Sequence, residues 1–213
     1  MISTKGFVVV NIDIRSVRFF SYLTLGLLAL ASAGQANAKQ GCGIYPADVH
    51  ETPYGGWSAC DLKGIGEPPL WRKFAGNRKQ IVRFVFTDGH SAFFRFVTIT
   101  EKFDGTGEMR VGGSDRGKPT LPTRHSTLSP QQMSKLNALA AQSGVWEFDI
   151  GSWDGDELYM HCQLLEMERA NRAGYNYSSV NIGCNHPAKL MPLVDEVVRL
   201  AELEALEERW LQR

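Results

Sequence analysis

Two of the four cysteines fall within residues 160–187, MHCQLLEMERANRAGYNYSSVNIGCNHP, and each has a histidine nearby: His161 beside Cys162, and His186 two residues after Cys184. Thiolate and imidazole together are zinc chemistry, whereas two cysteines facing across a hairpin are disulfide chemistry. A turn centred near Ala173, within Asn171 to Gly174, sets Cys162 opposite Cys184, Leu164 opposite Ile182 and Glu166 opposite Val180. Directly opposed β-carbons lie roughly 4.5–5.5 Å apart, within reach of a bridge at the closer pairs. Side chains alternate along a strand, so His161 points away from Cys162. Cys162, Cys184 and His186 leave a three-ligand set that matches no compact zinc spacing. The reading is a disulfide, with no metal site. Neither this pair nor the second, Cys42 and Cys60, has the C-x-x-C spacing of a thiol oxidoreductase.

The carboxylates are the other candidate chemistry. Asp149, Asp154, Asp156 and Glu157 crowd one turn, DIGSWDGDE, which lacks the alternating ligand spacing of an EF-hand loop. A solvated turn before a strand explains them. Glu166 and Glu168 share a strand face with Leu164 and Leu158, which predicts partial burial, with Arg95 or Arg169 as partners for Glu166. Glu166 with Asp154 or Asp156 would make an acid–base pair for hydrolysis. No G-x-S-x-G, H-E-x-x-H or phosphate-cradling glycine loop accompanies them, and no cofactor is implied.

These residues need a scaffold and a compartment. Residues 1–38 carry Lys5, Arg15 and Arg18, then the apolar run FFSYLTLGLLALASA, then Ala36-Asn37-Ala38, the pattern of a cleavable export signal. The run is shorter than the about 20 residues of a spanning helix, so no stable anchor is expected after cleavage. Of 23 basic and 23 acidic residues, that segment removes three bases and one acid (Asp13), leaving a net charge of −2. Near-neutrality without a basic stripe argues against nucleic acid. All four cysteines lie beyond the segment, and an even count in an exported chain favours two disulfides, Cys42–Cys60 and Cys162–Cys184.

Residues 39–79 read as an irregular Gly/Pro-rich arm that lays Tyr45, Tyr54, Trp57 and Trp71 over a single domain spanning 80–213. QIVRFVFT and AFFRFVTITEKF around Asp88-Gly89 predict a hairpin. Val82, Phe84 and Phe86 share one face with Phe93, Val97 and Ile99, while Ile81, Val85, Phe94 and Phe96 make the other apolar as well. Strands apolar on both faces lie centrally in a covered sheet. A short strand, EMRV, follows, then a polar loop over 112–126. Ser129, Pro130 and Gln132 spell a capping box, Leu128 and Met133 a hydrophobic staple, and the helix stops at Gly144. After the hairpin that holds Glu166, Pro187 introduces a last helix from about Lys189 to Leu211, with Leu206, Trp210 and Leu211 as tail contacts or a small partner surface. The order β-β-β-α-β-β-α is an α+β domain, an antiparallel sheet with helices packed on it.

LSPQQMSKLNALAAQSGVWEF, DGDELYMHCQLLE, AGYNY and HPAKLMPLVDEVVRLAEL resemble segments of a loose group of uncharacterised exported bacterial proteins. The matching positions are Trp146, Asp154-Gly155, Glu166, Tyr175 or Tyr177, and Pro187, over roughly residues 80–203. The resemblance implies a domain boundary and carries no activity with it. The residues themselves point to a non-enzymatic binding or accessory module of the periplasm or cell envelope. Its candidate surface is Tyr175, Tyr177, Asp154 and Glu166, and its partner is a protein or small molecule of that compartment. A hydrolase using Glu166, and a carrier of a small apolar ligand beneath the arm, are the alternatives.

Overall fold

The computed structural model describes residues 42–72, 76–88, 93–115, 120–157, 159 and 161–203. The expected export signal, the Gly89-His90 turn, Leu158 and the tail residues Leu206, Trp210 and Leu211 lie outside them.

The centre is a seven-stranded sheet in the order β4-β3-β2-β1-β6-β7-β5. Its strands are β1 (Gln80–Thr87), β2 (Phe93–Glu101), β3 (Gly107–Asp115), β4 (Leu121–Leu128), β5 (Ile150–Ser152), β6 (Leu164–Asn171) and β7 (Tyr175–Val180). Neighbours pair antiparallel except β5, which runs parallel to β7. Among the described residues the helices are α1 (Ala59–Gly64), α2 (Pro130–Ser143) and α3 (Met191–Leu200), with a 3₁₀ turn at Ala47–Glu51. The fold is α+β and carries both expected disulfides, Cys42–Cys60 and Cys162–Cys184.

The two apolar faces of β1 and β2 sort as their alternation requires. Val82, Phe84, Phe86, Phe93, Val97 and Ile99 pack with Leu165, Met167 and Val180 beneath α2 and α3. Val85, Phe94 and Phe96 face the other way, against Ile44, Tyr45, Val49 and Leu62 of the arm. The arm is therefore the second covering layer of the sheet. The capping box forms in full: Ser129 Oγ accepts from Gln132 N–H, and Gln132 Oε1 accepts from Ser129 N–H at 2.8 Å. Gly144 ends α2 with φ 72°.

Several expectations are corrected. The third strand is much longer than EMRV and takes in residues 112–115 of the expected 112–126 loop, while residues 121–126 of it belong to β4. LPTRHSTL is an exposed strand at the edge of the sheet among the described residues, so its side chains need no apolar period, and Pro122 is tolerated there. The last helix stops at Leu200, because Glu202 turns to φ 52° and Leu203 N–H bonds back to Val198 O at 3.0 Å. This is a glycine-type reversal made without glycine, so the sequence does not announce it. The hairpin register is one residue tighter than expected. Leu165 faces Val180 and Glu166 faces Ser179, because Asn171 N–H closes on Gly174 O at 3.0 Å and Asn171 Oδ1 accepts from Ala173 and Gly174 N–H. The cysteines still meet, Cα to Cα at 5.8 Å, because the chain past β7 leaves the ladder and Cys184 sits in a turn on Asn181.

Candidate functional site

Registers across the arm-facing side of the sheet align five residues of five strands in one row. Arg110 lies opposite Thr98, Thr98 opposite Arg83, Arg83 opposite Glu168, and Glu168 opposite Tyr177. Arg83 is fully buried. Its guanidinium donates to Pro68 O at 2.7 Å and to Thr98 Oγ1 at 3.3 Å, and ion-pairs with Glu168 at 2.9 Å and Glu67 at 3.4 Å. Glu67 comes from the arm and also pairs with Arg110. A lone buried charge is prohibitive, so each of these groups depends on the others for its place.

Glu166 sits one row over, opposite Val85. Its Oε1 accepts from the Tyr177 hydroxyl at 2.7 Å and its Oε2 from Ser58 N–H at 3.0 Å. Tyr177 in turn accepts from Gly56 N–H, and Tyr45 and Ser58 share a hydrogen bond of 2.8 Å. Burial raises the Glu166 carboxyl to about 7, against the lowering effect of the Ser58 and Tyr177 hydrogen bonds, and the nearby Glu168 charge adds to the rise. Glu168 is also raised by burial, offset by Arg83 and by the Tyr175 hydroxyl at 2.9 Å. Glu67 and Glu168 meet two guanidiniums here, Arg83 and Arg110, and Glu166 adds a third carboxyl to the same buried layer.

The expected partners of Glu166 are thus corrected. Arg95 pairs with Asp115, and Arg169 lies on the opposite face bonded to Asn176. The alternation that buries Glu166 points Arg169 away from it. Tyr177 lies in the core with 0% exposure rather than on a surface, while Tyr175 is half-buried. Asp154 is a buried anchor whose carboxylate accepts from Asn181 N–H at 2.7 Å and from the side-chain amides of Asn181 and Asn185 at 2.9 Å each. Asp156 and Glu157 are exposed. Glu166 and Asp154 thus have protein partners on both carboxylate oxygens. Among the described residues no three His, Cys, Asp or Glu side chains converge as metal ligands do.

A concavity lies elsewhere among the described residues. A cavity of about 100 Å³ lies where the 53–58 turn of the arm meets the segment leading into β6, lined by Tyr54, Trp57, Asp88, Tyr159, His161 and Asn181 over a floor of Cys162 and Leu164. Two of its walls hold strained backbone: Tyr54 has φ 58° and His161 φ 64°, a region β-carbons disfavour. The turn is fixed by Gly55 and Gly56. A β-carbon on Gly55 would stand 1.7 Å from Val49 O, and Gly56 has φ 70° against the His50 ring. The Tyr54 hydroxyl donates to Tyr159 O, and the Tyr54 and Trp57 rings meet edge to face at 6.4 Å. The Cys162–Cys184 bridge holds the opposite wall.

No protein-family model matches this chain, and no curated protein matches it either. The cavity combines residues distant in sequence, and its one sequence signal was the aromatic content of the arm, Tyr54 and Trp57. The buried row had a readable signal too: Arg83, an arginine inside a strand apolar on both faces, with Glu168 as the acid of matching parity.

Proposed function

We propose that this chain is an exported, non-enzymatic binding module that takes a small ligand in the cavity between the arm and the start of β6. The observation that carries the reading is the strained pair, Tyr54 and His161, held in left-handed backbone on facing walls of one cavity. Such strain costs on the order of 1–3 kcal/mol per residue and concentrates where a fixed side-chain position is used. The Cys162–Cys184 bridge holds the cavity floor, and Cys42–Cys60 closes the arm on itself. Two disulfides and no free cysteine among the described residues fit an oxidising compartment, the periplasm or the exterior. No described helix is long and apolar enough to cross a membrane. The resemblance to exported bacterial proteins and the 1–38 segment point the same way. The titrating carboxyl that would serve a hydrolase, Glu166, is 1% exposed and committed to the arm.

The test is amide-shift mapping of the mature protein against a panel of small periplasmic solutes and polar fragments. Binding in this cavity moves resonances of residues 54–57 and 159–164 together. A panel without such a response, or one that moves only the α2–α3 side of the sheet, overturns the reading. Fractionation is the second arm: a product lacking residues 1–38 in the periplasm or medium is expected, and an unprocessed cytoplasmic product refutes export.

A further inference from the structure

We infer that the cavity takes a neutral, single-ring aromatic group of a small molecule, an inference that rests on the reading that this cavity binds a ligand. The titratable and amide side chains around it are engaged within the protein. The Tyr54 hydroxyl donates to Tyr159 O, the Tyr159 hydroxyl to Glu157, and the Asn181 side-chain amide to Asp154. Asp88 and His161 likewise have their partners within the protein. Neither lysine nor arginine is among the described lining residues. A charged or sugar-like group would therefore give up its hydration without finding the hydrogen bonds that replace it. An apolar group gives up no such bonds and gains by leaving water. What the cavity offers it is the rings of Tyr54, Trp57 and Tyr159 over Leu164 and the Cys162 end of the disulfide.

A ring, rather than an alkyl group, follows from the walls. Tyr54 and Trp57 meet edge to face at 6.4 Å. Aromatic pairs favour that arrangement because the electron-poor edge of one ring meets the electron-rich face of the other, a contact that a saturated group does not make. A third ring extends the pair. The volume sets the size: about 100 Å³, against the ~150 Å³ of an apolar cavity that encloses benzene. Trp57 is 51% exposed, so a single ring fits with part of it resting on the indole at the rim, whereas a fused pair exceeds the space. Left-handed backbone at Tyr54 and His161 and the crowded Gly55–Gly56 turn fix the walls before binding, which reduces the ordering cost.

Amide-shift titration of the mature protein with benzyl alcohol, benzylammonium and phenylacetate, alike in ring and unlike in charge, tests the inference beside cyclohexylmethanol and glucose. The benzyl probes are expected to move residues 54–57 and 159–164 with affinities within about fivefold of one another, because the ring enters and the substituent stays in water. Cyclohexylmethanol is expected to bind about threefold to tenfold more weakly than benzyl alcohol, and glucose not to respond. Trp57→Ala should weaken benzyl alcohol about tenfold, and Trp57→Phe should retain its binding. Trp57→Ala is an exposed change, and circular dichroism verifies its fold. A preference beyond about fivefold for one charged benzyl probe, cyclohexylmethanol binding as tightly as benzyl alcohol, or a response to glucose alone overturns the aromatic class while the cavity stands. No response to any probe overturns both.

Discussion

The carboxyl of Glu166 and the hydroxyl of Tyr177 meet at 2.7 Å inside a sealed layer, and through Gly56 and Ser58 the pair fastens the arm to the sheet. Neither group reaches solvent. The acid that looked like candidate chemistry is a latch for the arm, and the arm carries Tyr54 and Trp57 to the cavity.

That latch gives the fold a pH signature. Burial first, and the Glu168 charge after it, hold the Glu166 carboxyl at about 7 in the folded protein against an ordinary 4.5. The folded state therefore binds more protons between these values. The contribution of Glu166 is full below about 4.5 and is lost as pH rises to about 7, by at most about 3 kcal/mol. Urea unfolding of wild type and Glu166→Gln at pH 4.5, 6 and 7.5 measures it. The expected result is a difference between the two proteins that shrinks as pH rises. A difference constant with pH would refute the shifted carboxyl.

Arg83 should be the least replaceable charge in the domain. Its planar fork touches Thr98, Pro68, Glu67 and Glu168 at once, a geometry lysine does not reproduce. Arg83→Met strands Glu67 and Glu168, and an abandoned buried charge costs about 3–5 kcal/mol. Arg83→Met with Glu168→Gln should recover part of that loss in a denaturant midpoint. A double variant no more stable than Arg83→Met would show that the pair is not coupled.

Periodicity was legible where each side chain had one environment. β1 and β2 alternate between two apolar layers, and Ser129, Pro130, Gln132 and Gly144 mark α2 by local hydrogen bonding alone. β4 was illegible because an exposed edge imposes no pattern on Leu121–Leu128. The end of α3 was illegible because Glu202 adopts a glycine's conformation. The hairpin register turned on a single turn residue, and each such slip moves every pairing. The cavity was hidden for a different reason: Tyr54, Asp88 and Tyr159 converge only through the docking of the arm, which depends on Glu166 and Arg83.

Loss of the Cys162–Cys184 bridge should act locally before it acts globally. The bridge closes a sequence separation of 22 residues around the β6–β7 hairpin, and its chain-entropy contribution is about 2–4 kcal/mol. Cys162 lines the cavity floor beside His161. Cys162→Ala/Cys184→Ala should lower the melting temperature and raise amide exchange over 159–164 first, with β1 and β2 protected. Exchange that rises evenly across the sheet would contradict a local role.

The arm turn offers the sharpest steric test. Gly55 has Val49 O at 1.7 Å and Thr52 Oγ1 at 2.2 Å from the position a β-carbon would occupy, so backbone has to move for alanine to fit. Gly64, at the end of α1, has nothing within 4 Å of its own added β-carbon. Gly55→Ala should expose the arm to limited proteolysis between Ala47 and Gly64 and weaken any ligand of the cavity. Gly64→Ala should leave both unchanged, or gain up to about 1 kcal/mol from helix propensity. Equal protection of the two variants would mean that the close approach of Gly55 to Val49 does not hold the turn. The placement of Tyr54 and Trp57 would then need another cause.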